Sequence, residues 1–297
     1  MTPCLRCGRP LAAKRPRCVY CGADAPPTAP EAPGEAPPEP SPRLLVLAQT
    51  GVADPEALAR ALGLAVADAA HRVRRGGWQL LRIAEPAAAR EQAARLGEAG
   101  VVAMLVPEAE VRSSARPVVA RGGEGNGREL SLRTTEGSMR VEAAHLVLAV
   151  QGPIAREYQT SQVVKRTRTA TLEGGYRFHL HRKGEARPVE LDPGAFDFGA
   201  RASGASSLLQ LSAWVQELTR GVLVDDAFRR LPPELGVAES AAAGPVAAAD
   251  ALGARAAVRG EAALVLDNLR QFRFYSAWRA AVERRASESP APSLPRS

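Results

Sequence analysis

The apolar positions between residues 43 and 112 predict an alternating series of strands and helices. Four consecutive apolar residues, Leu44 to Leu47, indicate a buried strand. The run Asp54-Pro55-Glu56 then supplies the N-cap, the first-turn proline and the first-turn acid of a helix that ends near Leu62-Gly63. Further segments extend the order to βααβαβ, with a helix at 64–75, a strand at 78–84, an Ala-rich helix at 86–99 and a strand at 101–106.

Residues 113–236 change to short alternating segments that are typical of an antiparallel sheet. A nearly continuous apolar run at 145–150 predicts the central strand, and the other strands are expected at 130–134, 139–143, 163–171 and 176–181. The last two are expected to join near Gly174-Gly175. A capping-box spacing that starts at Ser207 then precedes a helix with apolar residues at helical intervals. A curved antiparallel sheet followed by an amphipathic helix is similar, by analogy of fold alone, to pleckstrin-homology-like barrels.

Residues 261–286 predict one amphipathic aromatic helix. Its apolar stripe consists of Val265, Leu269, Phe272, Tyr275, Trp278 and Val282. We favour the interpretation that this helix docks onto the β-rich domain and completes its core. The alternative is that Phe272, Tyr275 and Trp278 form an interface with a partner or a second copy. Residues 237–260 are expected to be an Ala-rich linker, and residues 287–297 a disordered tail.

The strongest motif is a pair of Cys-x-x-Cys sequences, formed by Cys4, Cys7, Cys18 and Cys21. The spacing resembles that of a zinc ribbon and covers residues 1–24. Four thiolates suit the tetrahedral coordination of one Zn²⁺ and leave no open position to activate water, so the ion is expected to be structural. Disulfides, unligated thiols and bound iron are the alternatives. Residues 25–42 contain eight prolines and predict an extended linker, or alternatively a ligand for a proline-binding module.

Residues 43–112 resemble the C-terminal domain of the bacterial ribosomal stalk protein. The shared features are a first helix leading into Leu62-Gly63-Leu64, a second helix of small residues, and a helix ending in Glu98-Ala99-Gly100 before the closing strand. The resemblance implies a helix-layered α+β module that serves as a docking surface. Stalk domains dock translation factors through basic residues just after the Leu-Gly-Leu run, where this chain has Ala65 and Asp68. Factor recruitment is therefore not expected here.

The charge of the chain suits an anionic partner. Its 297 residues include 39 Lys and Arg against 32 Asp and Glu, a formal net charge of +7. Two stretches supply candidate anion or nucleic-acid contacts, the ribbon and residues 156–187, through Lys14, Arg15, Arg17, Lys165, Arg166, Arg168 and Arg177. An ordinary solvated basic surface is the alternative. No apolar run reaches the roughly 18 to 20 residues of a membrane-spanning helix, and the N-terminus lacks a signal-peptide core, so we expect a cytoplasmic protein.

Catalytic motifs are absent from the sequence. The glycine-rich run 122–127 lacks the Lys-Ser/Thr pair and the long helix of a phosphate loop, so it is interpreted as a loop between strands. Alternation along 176–181 predicts that Arg177, His179 and His181 share an exposed face, where a solvated polar surface is favoured over a metal site. At Asp225-Asp226 the favoured interpretation is an N-cap at Asp226 for a short helix, and the alternative is a catalytic carboxylate pair.

These observations predict an α+β multidomain protein: a small zinc ribbon, a βααβαβ module at 43–112, and a β-rich antiparallel domain at 113–236 with C-terminal helices. The leading hypothesis is a non-enzymatic zinc-ribbon adaptor or regulatory protein that binds another protein and holds one structural Zn²⁺. The second hypothesis is nucleic-acid binding through the basic ribbon and the stretch 156–187. An enzyme in the β-rich domain is the third. The sequence does not identify the partner, the biological process or the oligomeric state.

Overall fold

The computed structural model describes Cys7 and residues 42–161, 168–199, 206–228, 231, 235, 245–246 and 261–288. Apart from Cys7, all of these belong to one compact unit, Pro42–Ser297. The unit mixes helices and strands and contains two sheets and a C-terminal helix, which confirms the mixed α and β class. The predicted ribbon except Cys7, most of the two predicted linkers and nearly all of the tail lie outside the described residues. Among the described helices, none combines the length and apolarity needed to cross a membrane.

The first sheet and its helices follow the predicted βααβαβ order. The elements are β1 (Leu44–Gln49), α1 (Pro55–Leu62), α2 (Val66–Arg75), β2 (Trp78–Ala84), α3 (Pro86–Glu98) and β3 (Ala103–Pro107). The strands pair antiparallel in the order β2-β1-β3. Asp54 caps α1 by accepting a 2.8 Å hydrogen bond from the Ala57 amide, and Gly63 ends it at a φ of 65°. A short helix that the sequence pattern did not predict, α4 (Glu108–Ser114), follows β3 directly.

Over the residues that the structure describes, the second sheet contains nine strands. They are β4 (Val118–Gly125), β5 (Glu129–Thr134), β6 (Gly137–Glu142), β7 (Leu146–Ser161), β8 (Arg168–Arg182), β9 (Val189–Leu191), β10 (Leu223–Asp225), β11 (Pro245–Val246) and β12 (Glu261–Asp267). Their order is β11-β12-β7-β8-β9-β4-β5-β6, and β10 also pairs with β7. Most pairs are antiparallel, as predicted, but β4 with β9 and β10 with β7 are parallel.

Glycine-containing segments gave two wrong predictions in this sheet. The expected break at Gly174-Gly175 lies inside the single strand β8, where these residues pair with Ala155 and Ile154. The run at 122–127 is mostly strand β4 and not a loop. Its glycines permit close packing, because a Cβ added at Gly122 would lie 2.4 Å from the Asp197 carbonyl oxygen.

The two remaining helices begin at positions other than those predicted. Helix α5 (Ser207–Leu218) is capped by Ser206, whose hydroxyl accepts a 3.3 Å hydrogen bond from the Leu209 amide. The last helix, α6 (Leu269–Glu288), starts eight residues later than predicted because residues 261–267 form strand β12 on the edge of β7. Asp267 accepts a 2.8 Å hydrogen bond from the Leu269 amide at this start.

Helix α6 lies between the two sheets. One apolar cluster combines Leu45, Leu47 and Leu80 of the small sheet with Leu148 and Val150 of β7 and with α6 residues that include Phe272 and Trp278. The other face of the small sheet is covered by α1, α2 and α3, and the other face of the large sheet packs against α5. The C-terminal helix is therefore a central layer of the unit.

Candidate functional site

The aromatic residues of α6 are part of the core. Between Gln271 and Val282, every residue except Arg273 is buried. Phe228 packs edge-on against Phe272 and beside Tyr275, at ring-centroid distances of 5.3 and 5.4 Å. The favoured interpretation, that the helix docks onto the β-rich sheet, is confirmed. Phe272, Tyr275 and Trp278 are at most 7% exposed in this fold, so their side chains present no surface to a partner.

A polar layer lies beneath this helix, on the sheet face that the sequence analysis expected to be solvated. His179 and His181 of β8 are 0% and 2% exposed, and Arg177 is 5% exposed. Alternation along the strand did place these three side chains on one face. The prediction that solvent covers that face is wrong, because α6 packs on it and Phe178 and Leu180 pack on the other side.

The Ser276 hydroxyl of α6 joins the two imidazoles. Its Oγ lies 2.8 Å from Nδ1 of His179 and 2.7 Å from Nε2 of His181. The other ring nitrogen of His179, Nε2, lies 3.0 Å from Oε2 of Glu190 on β9. The Ser276 hydroxyl therefore bridges the two rings, and a carboxylate fixes the outer end of this series of hydrogen bonds.

Burial determines the protonation of this cluster. It lowers the pKa of His179, although the hydrogen bond to Glu190 opposes the shift, and it lowers the pKa of His181 well below the usual value, with a further contribution from the neighbouring His179. Both rings are thus neutral at pH 7. Glu190, as a carboxylate, accepts from Nε2–H of His179, so Nδ1 of that ring accepts from Ser276 and His181 donates to Ser276.

Glu190 is the charged centre of the layer. Arg273 of α6 donates two hydrogen bonds to its carboxylate, each 2.7 Å long. Arg177 lies 3.9 Å from the same carboxylate and 2.6 Å from Asp192. Burial alone raises the pKa of Glu190, but the hydrogen bonds from Arg273 and His179 outweigh it and lower that pKa to about 2. The carboxylate therefore stays ionised throughout the physiological range.

A second buried ion pair joins α6 to β10. Asp225 is 8% exposed, forms a short ion pair with Arg279, and accepts a 2.8 Å hydrogen bond from the Tyr275 hydroxyl. The predicted cap at Asp226 is wrong: the carboxylate of Asp225 accepts from the Ala227 amide, and residues 226–228 are not helical. The Asp225 carboxylate is thus engaged with Tyr275 and Arg279 of α6 and with the Ala227 amide, and this arrangement gives no support to the alternative of a catalytic pair with Asp226.

The Ser276, His179 and Glu190 side chains have the order of a nucleophile, a base and an orienting acid. Ser276 is 0% exposed in the middle of a buried helix, so a substrate cannot reach its hydroxyl in this fold. A surface cavity of about 540 Å³ is lined by Tyr176, Arg177 and Asp192, but neither Ser276 nor either imidazole lines it. The cluster is therefore arranged as a structural network that connects α6 to the sheet.

The other candidate residues are placed as follows. Cys4, Lys14, Arg15, Arg17, Cys18, Cys21, Lys165 and Arg166 lie outside the described residues, and the Arg168 side chain is not described although its backbone starts β8. Arg177, offered as an anion contact, is buried against Asp192 instead. Within the described part of the chain, no three His, Cys, Asp or Glu side chains are grouped to hold a metal ion.

Comparison with known proteins gives no assignment: no family model, no curated protein and no solved structure matches the chain. The sequence pattern alone did not indicate Glu190, Arg273 or Ser276. One signal was present, since Arg273, Ser276 and Arg279 recur every three residues along a helix that is otherwise rich in apolar residues. Polar residues at that spacing inside an apolar helix indicate polar partners in the core.

Proposed function

We propose that this chain is a non-enzymatic adaptor or regulatory protein that binds another protein and carries one structural zinc ion in its N-terminal ribbon. The observation that carries the proposal is the burial of Ser276, His179 and Glu190. Their geometry would suit a hydrolase, but α6 covers them, and their hydrogen bonds are made to one another. A frame that buries this hydrolase-like set between a helix and a sheet is suited to holding a binding surface.

The zinc proposal rests on the spacing of Cys4, Cys7, Cys18 and Cys21. Four thiolates would close the coordination sphere and give a short segment most of its folding free energy. Elemental analysis of the full chain, purified without added metal, is expected to give about one zinc per chain, and Cys18→Ser with Cys21→Ser is expected to lose it. Full metal occupancy in that double variant, or none in the wild type, would contradict this part of the proposal.

Affinity capture with the full chain as bait tests whether the chain binds a protein partner. We expect a saturable, stoichiometric complex with one protein, and a reconstituted complex from the two purified components. The Cys18→Ser, Cys21→Ser variant is expected to weaken the complex if the ribbon contributes to binding. The matched control is Glu136→Gln, which changes an exposed residue outside the ribbon. Turnover of a small-molecule substrate by the pure chain, with no reconstituted complex, would reject the adaptor.

The second candidate is nucleic-acid binding, which is favoured by the net charge of +7 and by the basic residues of the ribbon and of 156–187. Labelled DNA and RNA are titrated with the full chain across a salt series. Tight binding with a steep salt dependence, lost in Arg166→Ala with Arg168→Ala, would favour this candidate over the adaptor. The matched control is Arg90→Ala with Arg95→Ala, which removes two exposed arginines of α3.

A further inference from the structure

The buried imidazoles have one ring nitrogen that makes no hydrogen bond. Nδ1 of His181 is inaccessible to solvent and has no hydrogen-bond partner among the described residues. The other nitrogen of that ring donates to Ser276, and Ser276 donates to His179, so the direction of every hydrogen bond in the chain is fixed. Nδ1 of His181 therefore carries the lone pair that can take up an added proton. The resulting N–H would have no hydrogen-bond acceptor.

The charges around the two rings would make an added proton unfavourable. From β8 and α6 they face Arg177, Arg273 and Arg284, all positive, while β7 places the apolar Leu148 and Val150 directly opposite them. The nearby acids are Glu190 on β9, which is already paired with Arg273, and Asp192, which is paired with Arg177. The Glu110 carboxylate of α4 pairs with Arg284 and Arg285. Each of these carboxylates is already paired with an arginine, so none is left unpaired to neutralise a protonated imidazole.

We propose that His179, Ser276 and His181 form an acid-sensitive latch, which seats α6 between the two sheets while both imidazoles are neutral and loosens it when they take up protons. The latch acts through the helix because Ser276, Arg273 and Arg284 all belong to α6, whereas both histidines belong to β8. Separating helix from strand would hydrate the rings and move Arg273 and Arg284 away from them. The same separation would expose the aromatic residues of α6 that connect the two sheets.

The direction of the effect follows from the lowered basicity of the buried rings. Above about pH 6.5, the usual pKa of histidine, neither the seated nor the released state is protonated, so pH has no effect. Below it, the released state binds more protons than the seated state, so acid raises the ratio of released to seated helix, by at most about tenfold per pH unit for each histidine. Glu190 remains ionised in this range, so the carboxylate does not contribute.

Hydrogen exchange of the native full chain tests the latch. Exchange is followed at about pH 7.5 and about pH 5.5 and corrected for the intrinsic chemical rate, so that protection factors are compared. We expect protection of the α6 amides to fall at least tenfold on acidification, while the α3 amides change less than about threefold. A fall that is equal in α3 and α6, or no fall in α6, would overturn the proposal.

A variant separates the latch from general acid instability. His181→Gln keeps an N–H donor to Ser276 but cannot be protonated at that position, so the acid-dependent loss of its α6 protection should be clearly smaller than in the wild type, with His179 as the remaining contributor. His145→Gln removes a solvent-exposed histidine and should behave as the wild type. An acid-dependent loss in His181→Gln as large as in the wild type would overturn the latch.

A measurement on the unmodified chain covers the case in which His181→Gln fails to fold. Nitrogen-15 spectra of the histidine rings report which nitrogens carry protons. The latch requires that two imidazoles remain neutral while the α6 amides are protected, and that their protonation coincides with the loss of that protection. Protonated rings beneath a fully protected α6 would overturn it.

Discussion

Arg273 on α6 donates two parallel hydrogen bonds, each 2.7 Å long, to the carboxylate of Glu190 on β9. This bidentate contact connects the C-terminal helix to the centre of the large sheet, 83 residues earlier in the chain. Since the same carboxylate accepts from His179, the ion pair and the imidazole chain form one network.

Removing the Glu190 charge is expected to destabilise the fold strongly. Glu190→Gln keeps the shape but leaves Arg273 and Arg177 without their shared anion, and we expect a loss of about 3 kcal/mol in the free energy of unfolding. Urea denaturation at neutral pH measures it. Glu136→Gln breaks an exposed pair with Arg187, and as the matched control it should cost less than about 1 kcal/mol. Equal costs would contradict the central role given to Glu190.

The cost of Glu190→Gln is also expected to depend on acid. The pKa of Glu190 is lowered from 4.5 to about 2, so its contribution is complete above pH 4.5 and is lost as the pH falls towards 2. Glutamine does not titrate, and the difference in unfolding free energy between wild type and variant should therefore shrink across that interval. Denaturation at several pH values below 5 checks this. A difference that stays constant down to pH 2 would show that the carboxylate is not stabilised by its ion pair.

Truncating the largest side chain of α6 tests the packing of the helix between the sheets. Trp278 is 1% exposed and its ring lies 4.9 Å from that of Tyr275. Trp278→Ala is expected to cost about 3 to 5 kcal/mol, measured by chemical denaturation. Leu209→Ala, at a position 65% exposed on α5, should cost less than about 0.5 kcal/mol. A small cost at Trp278 would contradict the placement of α6 in the core.

Two glycines are expected to respond to alanine with opposite signs. At Gly122 the new Cβ would lie 2.4 Å from the Asp197 carbonyl oxygen, so Gly122→Ala should destabilise by about 1 to 3 kcal/mol. Gly97 lies in α3, and no atom outside the local backbone of that helix comes within 4 Å of the added Cβ, so Gly97→Ala should stabilise by about 0.5 to 1 kcal/mol. Thermal unfolding of the two variants and the wild type measures both changes in stability. Destabilisation by Gly97→Ala would contradict the helix assignment.

Local signals predicted the small sheet and its helices well. Asp54, Pro55 and Gly63 mark the two ends of α1 through caps that act within a few residues, and the order βααβαβ is confirmed. The same kind of local signal gave a wrong prediction at Gly174-Gly175, where a break between two strands was expected. Glycine usually ends a strand, but here it continues the ladder opposite Ile154 and Ala155, which periodicity alone does not show.

The sequence predicted which side chains of the candidate site share a face of the sheet, but not what covers that face. Alternation in β8 placed Arg177, His179 and His181 on one face, because every second side chain of a strand points to the same side of the sheet. What covers that face depends on α6, which begins almost ninety residues later in the chain. Glu190 and Ser276 were missed because their role exists only after the helix has docked onto the sheet.

The claim that the polar layer is sealed is tested most directly at Ser276. The native full chain is incubated with a fluorophosphonate, a probe that reacts with accessible, base-activated serines, and analysed by intact mass and peptide mapping. We expect no adduct on Ser276, either in the wild type or in His179→Gln. A stoichiometric adduct on Ser276 that His179→Gln abolishes would show an accessible, activated nucleophile and would contradict the account.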